Sequence, residues 1–408
     1  MFESRRPPGS VPADLAPGYH GIFLLFLLTF PGYFVYHFLV TLSVLPAFLA
    51  GYSTPMCLVS LPILGLVHAR TALNRSKSEP ARIEKALALF LVFYALVTLW
   101  QLSTRNMLDS AEAHPTVIAQ FIALFLLSLY TPLLVRHMKA LMLLVVMMTG
   151  MVIHNALNGG FISAALESYG ITNSLITYQG YAFAYWITLV SLVALLREHP
   201  GRRAFVYLLA FVALFLNGAR SEFAAALFAF LALEFLLARS KLNLVLGVLV
   251  AIGMFAAIYF LFENELQDYR VITIFTDYED DLSVLDRRKM LADGLATIQA
   301  HPWTGRMGSY LGGEYIHSYL SAWVDLGAIG FFGFMLLQSL PVVHLWLNRR
   351  SLRNDSVLQQ LFLLTVSTLL LSLVAKPFTQ YLLPITLGVC ARHARLRHHE
   401  HARRVAPA

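Results

Sequence analysis

Three ionisable sites, two single residues and a cluster, sit at or near places where apolar stretches meet polar ones, and their chemistries complement one another. Arg220 lies in Asn217-Gly218-Ala219-Arg220-Ser221-Glu222, between two apolar runs. A guanidinium held at such a boundary presents a planar fork that matches two phosphate oxygens. His317, in Ile316-His317-Ser318-Tyr319-Leu320, follows the longest polar segment of the chain. An imidazole there can take a proton from a hydroxyl near neutral pH. Arg287, Arg288 and Lys289 form a basic cluster that could reach an anionic headgroup. Each also has a structural reading. Arg220 could snorkel to the interface or pair with Glu222, and His317 could be an interfacial packing residue. The basic cluster could be balanced by Asp286 and the acidic run from Asp277 to Asp281.

The chain that positions these groups has 408 residues, 58% hydrophobic and 13% charged, about half the charge of an average soluble domain. Apolar runs of about 20 residues recur from Gly21 to Cys390, the length that crosses a bilayer as a helix. The expected fold is therefore all-α and polytopic, with about 12 transmembrane helices. The runs fall near 21–42, 45–67, 86–104, 116–135, 140–157, 177–196, 204–217, 223–238, 243–262, 318–346, 357–375 and 378–391. The organisation read from them is a polar segment 1–20, helices one to nine over 21–262 and a large loop over 263–316. Helices ten to twelve follow over 317–391, then a basic tail over 392–408. No cleavable signal is expected, because the first apolar run is too long for an h-region.

Alternate loops separate sharply in charge. With the N-terminus inside, about 22 of the 30 Lys and Arg fall in inside segments, as the positive-inside rule requires. Both ends then lie inside, and the 263–316 loop lies outside with Arg220, Arg287 and His317. Within that loop, Met290, Leu291, Leu295 and Ile298 recur near helical spacing. They predict an amphipathic surface helix that stops at His301-Pro302. Ser221 is placed to cap the helix that follows Arg220. Leu326-Gly327-x-x-Gly330 reads as a small-residue surface holding span ten against its neighbours.

Other polar groups on the same side are Lys376-Pro377 with Gln380 and Tyr381, and His154-Asn155. Cys57 and Cys390 both fall in apolar runs and read as packing residues. His393, His398, His399 and His401 lack Cys or carboxylate partners at metal spacing, and read as part of a lipid-facing tail. There is no Walker A sequence, no dinucleotide glycine fingerprint and no Asp-x-Asp pair, so no motif calls for a nucleotide or a metal. The +7 charge carries no aromatic-basic nucleic-acid motif and is explained by the inside loops.

Taken in order, these residues resemble the O-antigen ligase and polymerase superfamily. The pattern is Arg287 followed by Leu291, Gly294-Leu295, Ile298, His301-Pro302 and Gly305. His317-Ser318 with Leu320, and Asp325-Leu326-Gly327 with Ile329-Gly330, complete it. Asn217-Gly218-Ala219-Arg220-Ser221 resembles the family's earlier Arg turn, and the likeness covers roughly 204–345. The chain departs from the family at Ser318, where Asn is common, at Leu291, where Trp is common, and at Gly305-Arg306-Met307-Gly308, where the family has Gly-x-Gly. Asp325 stands where an acid, usually Glu, is common.

The resemblance implies a GT-C-like multi-span fold in the bacterial inner membrane, with the active site on the periplasmic face. It implies metal-independent, inverting glycosyl transfer without a cofactor. The donor would be a polysaccharide on undecaprenyl pyrophosphate, and the acceptor a sugar hydroxyl of lipid A–core. His317 would be the base and Arg220 and Arg287 would hold the pyrophosphate, with Arg288, Arg306, Tyr319, Asp325 and Lys376 in support. Ligase is favoured over polymerase because the outer segment 158–176 is short and has no Arg or Lys. A protein O-glycosylating relative would be longer. A lipid-linked-oligosaccharide flippase would carry mid-span charges and an internal repeat, and neither is evident.

Overall fold

In the computed structural model the described residues are 19–42, 44–46, 48–49, 51–73, 82–104, 113–157, 178–238, 282–309 and 315–405. They are helical, joined by turns. The expected ninth span (243–262), residues 263–281 and 310–314 of the large loop, with the acidic run 277–281, and the outer segment 158–176 lie outside them.

Helices α1 (Tyr19–Thr29) and α2 (Pro31–Thr41) form one apolar crossing, with Pro31 at the first position of α2, where a missing N–H costs nothing. Next come α3 (Ser53–Leu73), α4 (Arg82–Thr104), α5 (His114–Tyr130) and α6 (Met138–Leu157). They are followed by α7 (Tyr178–Leu195), α8 (Pro200–Leu216), α9 (Arg220–Leu237) and α10 (Leu282–Ala300). The last three are α11 (Ser321–Asn348), α12 (Ser356–Val374) and α13 (Leu382–Val405). Six segments among the described residues are long and apolar enough to cross a membrane, and α5 and most of α7 are shorter apolar helices. The second expected span begins late, at Ser53, because residues around Pro46 and the positive φ of Tyr52 hold the preceding stretch in turns.

Large aromatic side chains fill the interior. Phe30, Phe34, Tyr94, Phe121, Tyr181 and Tyr185 are all 2% exposed or less. By contrast Leu89, Leu143, Leu208 and Phe332 are more than half exposed on outward faces, the pattern of helices solvated by lipid. The two cysteines are buried, as expected of packing residues.

The basic loops meet at one end of the bundle. Arg203 pairs with Glu234 at 2.8 Å, Arg395 with Glu84 at 2.8 Å, and Arg197 bonds to the Asn354 carbonyl. This end corrects the reading of the tail. Residues 392–405 continue α13 instead of leaving it. Arg392 is buried and bonds to Gln360 at 2.5 Å, and also to the Thr131 carbonyl. His393 does have a carboxylate partner: its Nε2 lies 3.0 Å from Asp355 Oδ2, and its Nδ1 lies 2.7 Å from His344 Nε2. Those partners are far away in sequence, so local spacing could not reveal them.

Candidate functional site

At the opposite end, α10 stops where expected: Pro302 cannot continue a helix, and the chain turns through Gly305 at φ +63°. The turn seats on a break in α11. Gly327 there has φ 68° and ψ −174°, a region open essentially only to glycine. Breaking a helix frees backbone groups that must be paired again. Val324 O accepts from Arg306 N at 2.6 Å, and Ala328 N donates to Pro302 O at 2.9 Å. Pro302 O also accepts from the Trp323 indole at 2.8 Å. Gln101, reaching over from α4, donates to Thr304 O and Asp325 O at 3.2 Å each and accepts from Met307 N at 2.7 Å. The expected small-residue surface is thus corrected in its partner. A Cβ on Gly327 would stand 2.0 Å from Trp303 O, so Gly327 packs on the 301–306 turn, not on a neighbouring span.

This junction delivers the chain to His317. Ser321 Oγ donates to Ser318 O at 2.8 Å and accepts from Phe378 N at 2.7 Å, tying the turn before α11 to the α12–α13 connection. His317 Nδ1 lies 3.0 Å from Ala375 O. A carbonyl only accepts, so Nδ1 carries the proton and Nε2 keeps its lone pair. Burial pushes the His317 pKa below the ordinary histidine value. The charges of Arg287 and Lys376 push the same way, against the Ala375 carbonyl. At neutral pH the ring is therefore an uncharged base.

The residue after Ala375 links this histidine to the start of α9. Lys376 Nζ lies 2.7 Å from Glu222 Oε1 and 2.7 Å from Gln179 Oε1, while Ser221 Oγ donates to Glu222 Oε2 at 2.8 Å. One expectation changes here. Ser221 is not the cap of α9: Arg220 is already its first residue and Ala219 precedes it. Glu222 pairs with Lys376, which lies in the α12–α13 connection. The carboxylate is 6% exposed, so Lys376→Met would leave a buried charge alone. That substitution should lower stability by about 3–5 kcal/mol, and adding Glu222→Gln should restore most of it. Thermal unfolding of the solubilised protein checks this, and an unshifted midpoint for the single variant refutes it.

Of the expected site residues, His317 and Lys376 meet across Ala375, and Arg220 starts the helix that carries Glu222. Arg287 is exposed on α10, close enough for its charge to be felt at His317. Arg288 is exposed on the same helix, and Arg306 is exposed while its backbone holds the α11 break. Tyr319 packs towards the core, its ring 5.9 Å from that of Phe331. Asp325 is turned to structural use: its carboxylate accepts from the Gly308 backbone and its carbonyl from Gln101. Gln101, Gln179 and the Ala375 carbonyl were missed. A backbone carbonyl leaves no sequence signal, but Glu222 and Lys376 are opposite charges on one side of an apolar bundle, and that was a usable clue.

The fold is that of a multi-pass helical membrane protein, and it brings His317, Lys376 and Glu222 together at one end of the bundle, with Arg287 within electrostatic reach. Residues 205–335 match the family model described as O-Antigen ligase, a segment of less than half the chain. The match takes in Arg220, Arg287, Arg288, Arg306, His317, Tyr319 and Asp325, and leaves out Lys376. It supports the resemblance to the O-antigen ligase and polymerase superfamily, whose members are glycosyltransferase-like enzymes. No curated protein matches the chain significantly.

Proposed function

We propose that the chain is an O-antigen ligase. It transfers polysaccharide from undecaprenyl pyrophosphate to a sugar hydroxyl of lipid A–core at the periplasmic face of the inner membrane. The observation that carries the reading is the fixed His317, with Nδ1 held by Ala375 and Nε2 without a hydrogen-bond partner among the described residues, inside the matched segment and near Arg287. His317 Nε2 takes the acceptor hydroxyl proton. The oxygen forms a bond to the anomeric carbon from the face opposite the leaving group, so configuration inverts. The bond from that carbon to the pyrophosphate oxygen breaks, and its electron pair leaves with the pyrophosphate. The pyrophosphate is already a good leaving group, so the protein has only to bind its charge, the task assigned to Arg220 and Arg287. Arg288, Arg306 and Lys376 support the field around it.

Deleting the gene and running lipopolysaccharide gels tests the reading. Ligase loss leaves bare core while polymer accumulates on its carrier lipid. Core bearing a single repeat unit would instead identify a polymerase. Arg220→Ala and Arg287→Ala should weaken donor use, and Lys at either position should rescue only in part, because a point charge lacks the two-pronged fork. Unchanged apparent donor affinity in both Ala variants would remove the pyrophosphate assignment.

The pH profile gives a further expectation. His317 must be neutral to act, and its pKa is depressed, so the acidic limb of kcat/KM should fall below the usual histidine value of about 6.5. Arg287 disfavours the imidazolium, so Arg287→Ala raises the His317 pKa and moves the limb to higher pH. A limb that stays in place would separate Arg287 from the base.

A further inference from the structure

Glu222 has no part in the transfer described above, yet it links the two halves of the site. It lies in the first turn of α9, two residues after Arg220. It is 6% exposed, and a buried carboxylate is costly unless it is paired and hydrogen-bonded. Both of its oxygens are engaged. Oε1 lies 2.7 Å from Lys376 Nζ, and Oε2 accepts from Ser221 Oγ at 2.8 Å. Lys376 Nζ also donates to Gln179 Oε1 of α7 at 2.7 Å. The ammonium is therefore gripped from two helices at once.

What the grip fixes is the backbone beside it. Residues 375–381 join α12 to α13 and are not helical. Ala375 N and Lys376 N both donate to Leu371 O, at 2.9 and 2.7 Å, and Phe378 N donates to Ser321 Oγ. The Ala375 carbonyl, 3.0 Å from His317 Nδ1, belongs to the peptide bond between Ala375 and Lys376. That bond is planar, so the direction of the carbonyl is set together with the position of the Lys376 Cα. Pro377 follows and fixes its own φ, which leaves the Lys376 side chain as the remaining tether. The tether matters to the base. Imidazole keeps its proton on the nitrogen that finds an acceptor, so Nε2 stays bare only while Ala375 O stays in line with Nδ1.

We propose that Glu222 is a positioning residue: through Lys376 it holds the Ala375 carbonyl on His317 Nδ1 and so fixes the tautomer and the aim of the base. The inference rests on the glycosyl-transfer reading above for the role given to His317.

Two readouts separate this role from a purely structural one. The first needs no transfer. The full chain, with histidine labelled at both ring nitrogens, is placed in lipid nanodiscs and followed by NMR. The His317 signals, one set among 14 histidines, are those that vanish in His317→Ala. The native protein should show Nδ1 protonated and Nε2 bare. Lys376→Met with Glu222→Gln, which removes the pair without stranding a charge, should give signals averaged over both tautomers. Glu222→Gln alone, which leaves a neutral acceptor for Lys376, should fall between.

The second readout is transfer in proteoliposomes from undecaprenyl-pyrophosphate-linked polysaccharide to lipid A–core. The double variant should unfold at the native temperature yet lose kcat roughly tenfold, with the donor KM within about twofold of native. A purely structural pair predicts that restored stability restores kcat. A single fixed tautomer with native kcat in the double variant overturns the inference. Should that variant not fold, Glu222→Gln decides: native signals and native kcat overturn it. An averaged tautomer alongside normal capped lipopolysaccharide in the deletion strain keeps the positioning and sinks the ligase reading. A fixed tautomer alongside the ligase phenotype on gels does the reverse.

Discussion

His317→Ala is expected to abolish transfer to core while the protein still inserts and accumulates. A positioned general base contributes about 10²–10⁴-fold, and the loss should appear in kcat, with donor binding left to the arginines. The structural cost is small by comparison. Among the described residues the side chain makes one hydrogen bond, to Ala375 O, worth about 1 kcal/mol, while the turn around it is held separately through Ser321. His317→Gln sharpens the test, because an amide N–H can still donate to that carbonyl but cannot accept a proton. It should match Ala in activity and the native protein in stability. Normal capped lipopolysaccharide in either variant would sink the general-base role. Glutamine restoring activity would reduce His317 to a group that orients the acceptor.

Gly327→Ala should be the most damaging substitution outside the chemistry. Alanine rarely adopts φ 68° with ψ −174°, and such strain costs about 1–3 kcal/mol before any contact is counted. The added methyl would also stand 2.0 Å from the Trp303 carbonyl and 2.7 Å from the Thr304 N, both backbone atoms that cannot rotate away. The 301–306 turn must then lift off α11. That would leave the Val324 and Asp325 carbonyls and Gln101 to find other partners. A large drop in unfolding temperature is expected, together with protease cleavage near residues 301–309 and loss of transfer. Gly330→Ala strains α11 at a different contact: its Cβ would stand 2.2 Å from the Leu326 Cβ, an atom fixed to the backbone. Native stability and protease resistance in Gly327→Ala would show that the break in α11 is not what seats the turn.

Which parts were legible follows from where the information lies. The helix α10 and its stop before Pro302 were readable because helical spacing and a proline's missing N–H act within a few residues, though Leu291 and Leu295 are exposed and do not form a buried face. Gly327 was readable as a close-contact position, since glycine's lack of Cβ is local, but not as the seat of a turn more than twenty residues earlier. Asp325 follows the family pattern, but its hydrogen bond from the Gly308 backbone joins residues too far apart in sequence for a local pattern to show. Glu222 also takes a partner that no local pattern shows: the packing of α9 against α12 brings it Lys376, more than a hundred residues away.

Sequence by itself determined a helical chain with several segments apolar enough to cross a membrane, and a chemical inventory of histidine and several guanidiniums in the matched segment. Hydropathy, charge and side-chain pKa belong to residues and short windows, so they survive without coordinates. Only the tertiary structure decided that His317 is pinned through Nδ1 by a backbone carbonyl and that Lys376 is neutralised by Glu222. Those depend on which helices adjoin and how each is rotated about its axis, and a rotation of one residue, about 100°, changes every partner a side chain can reach.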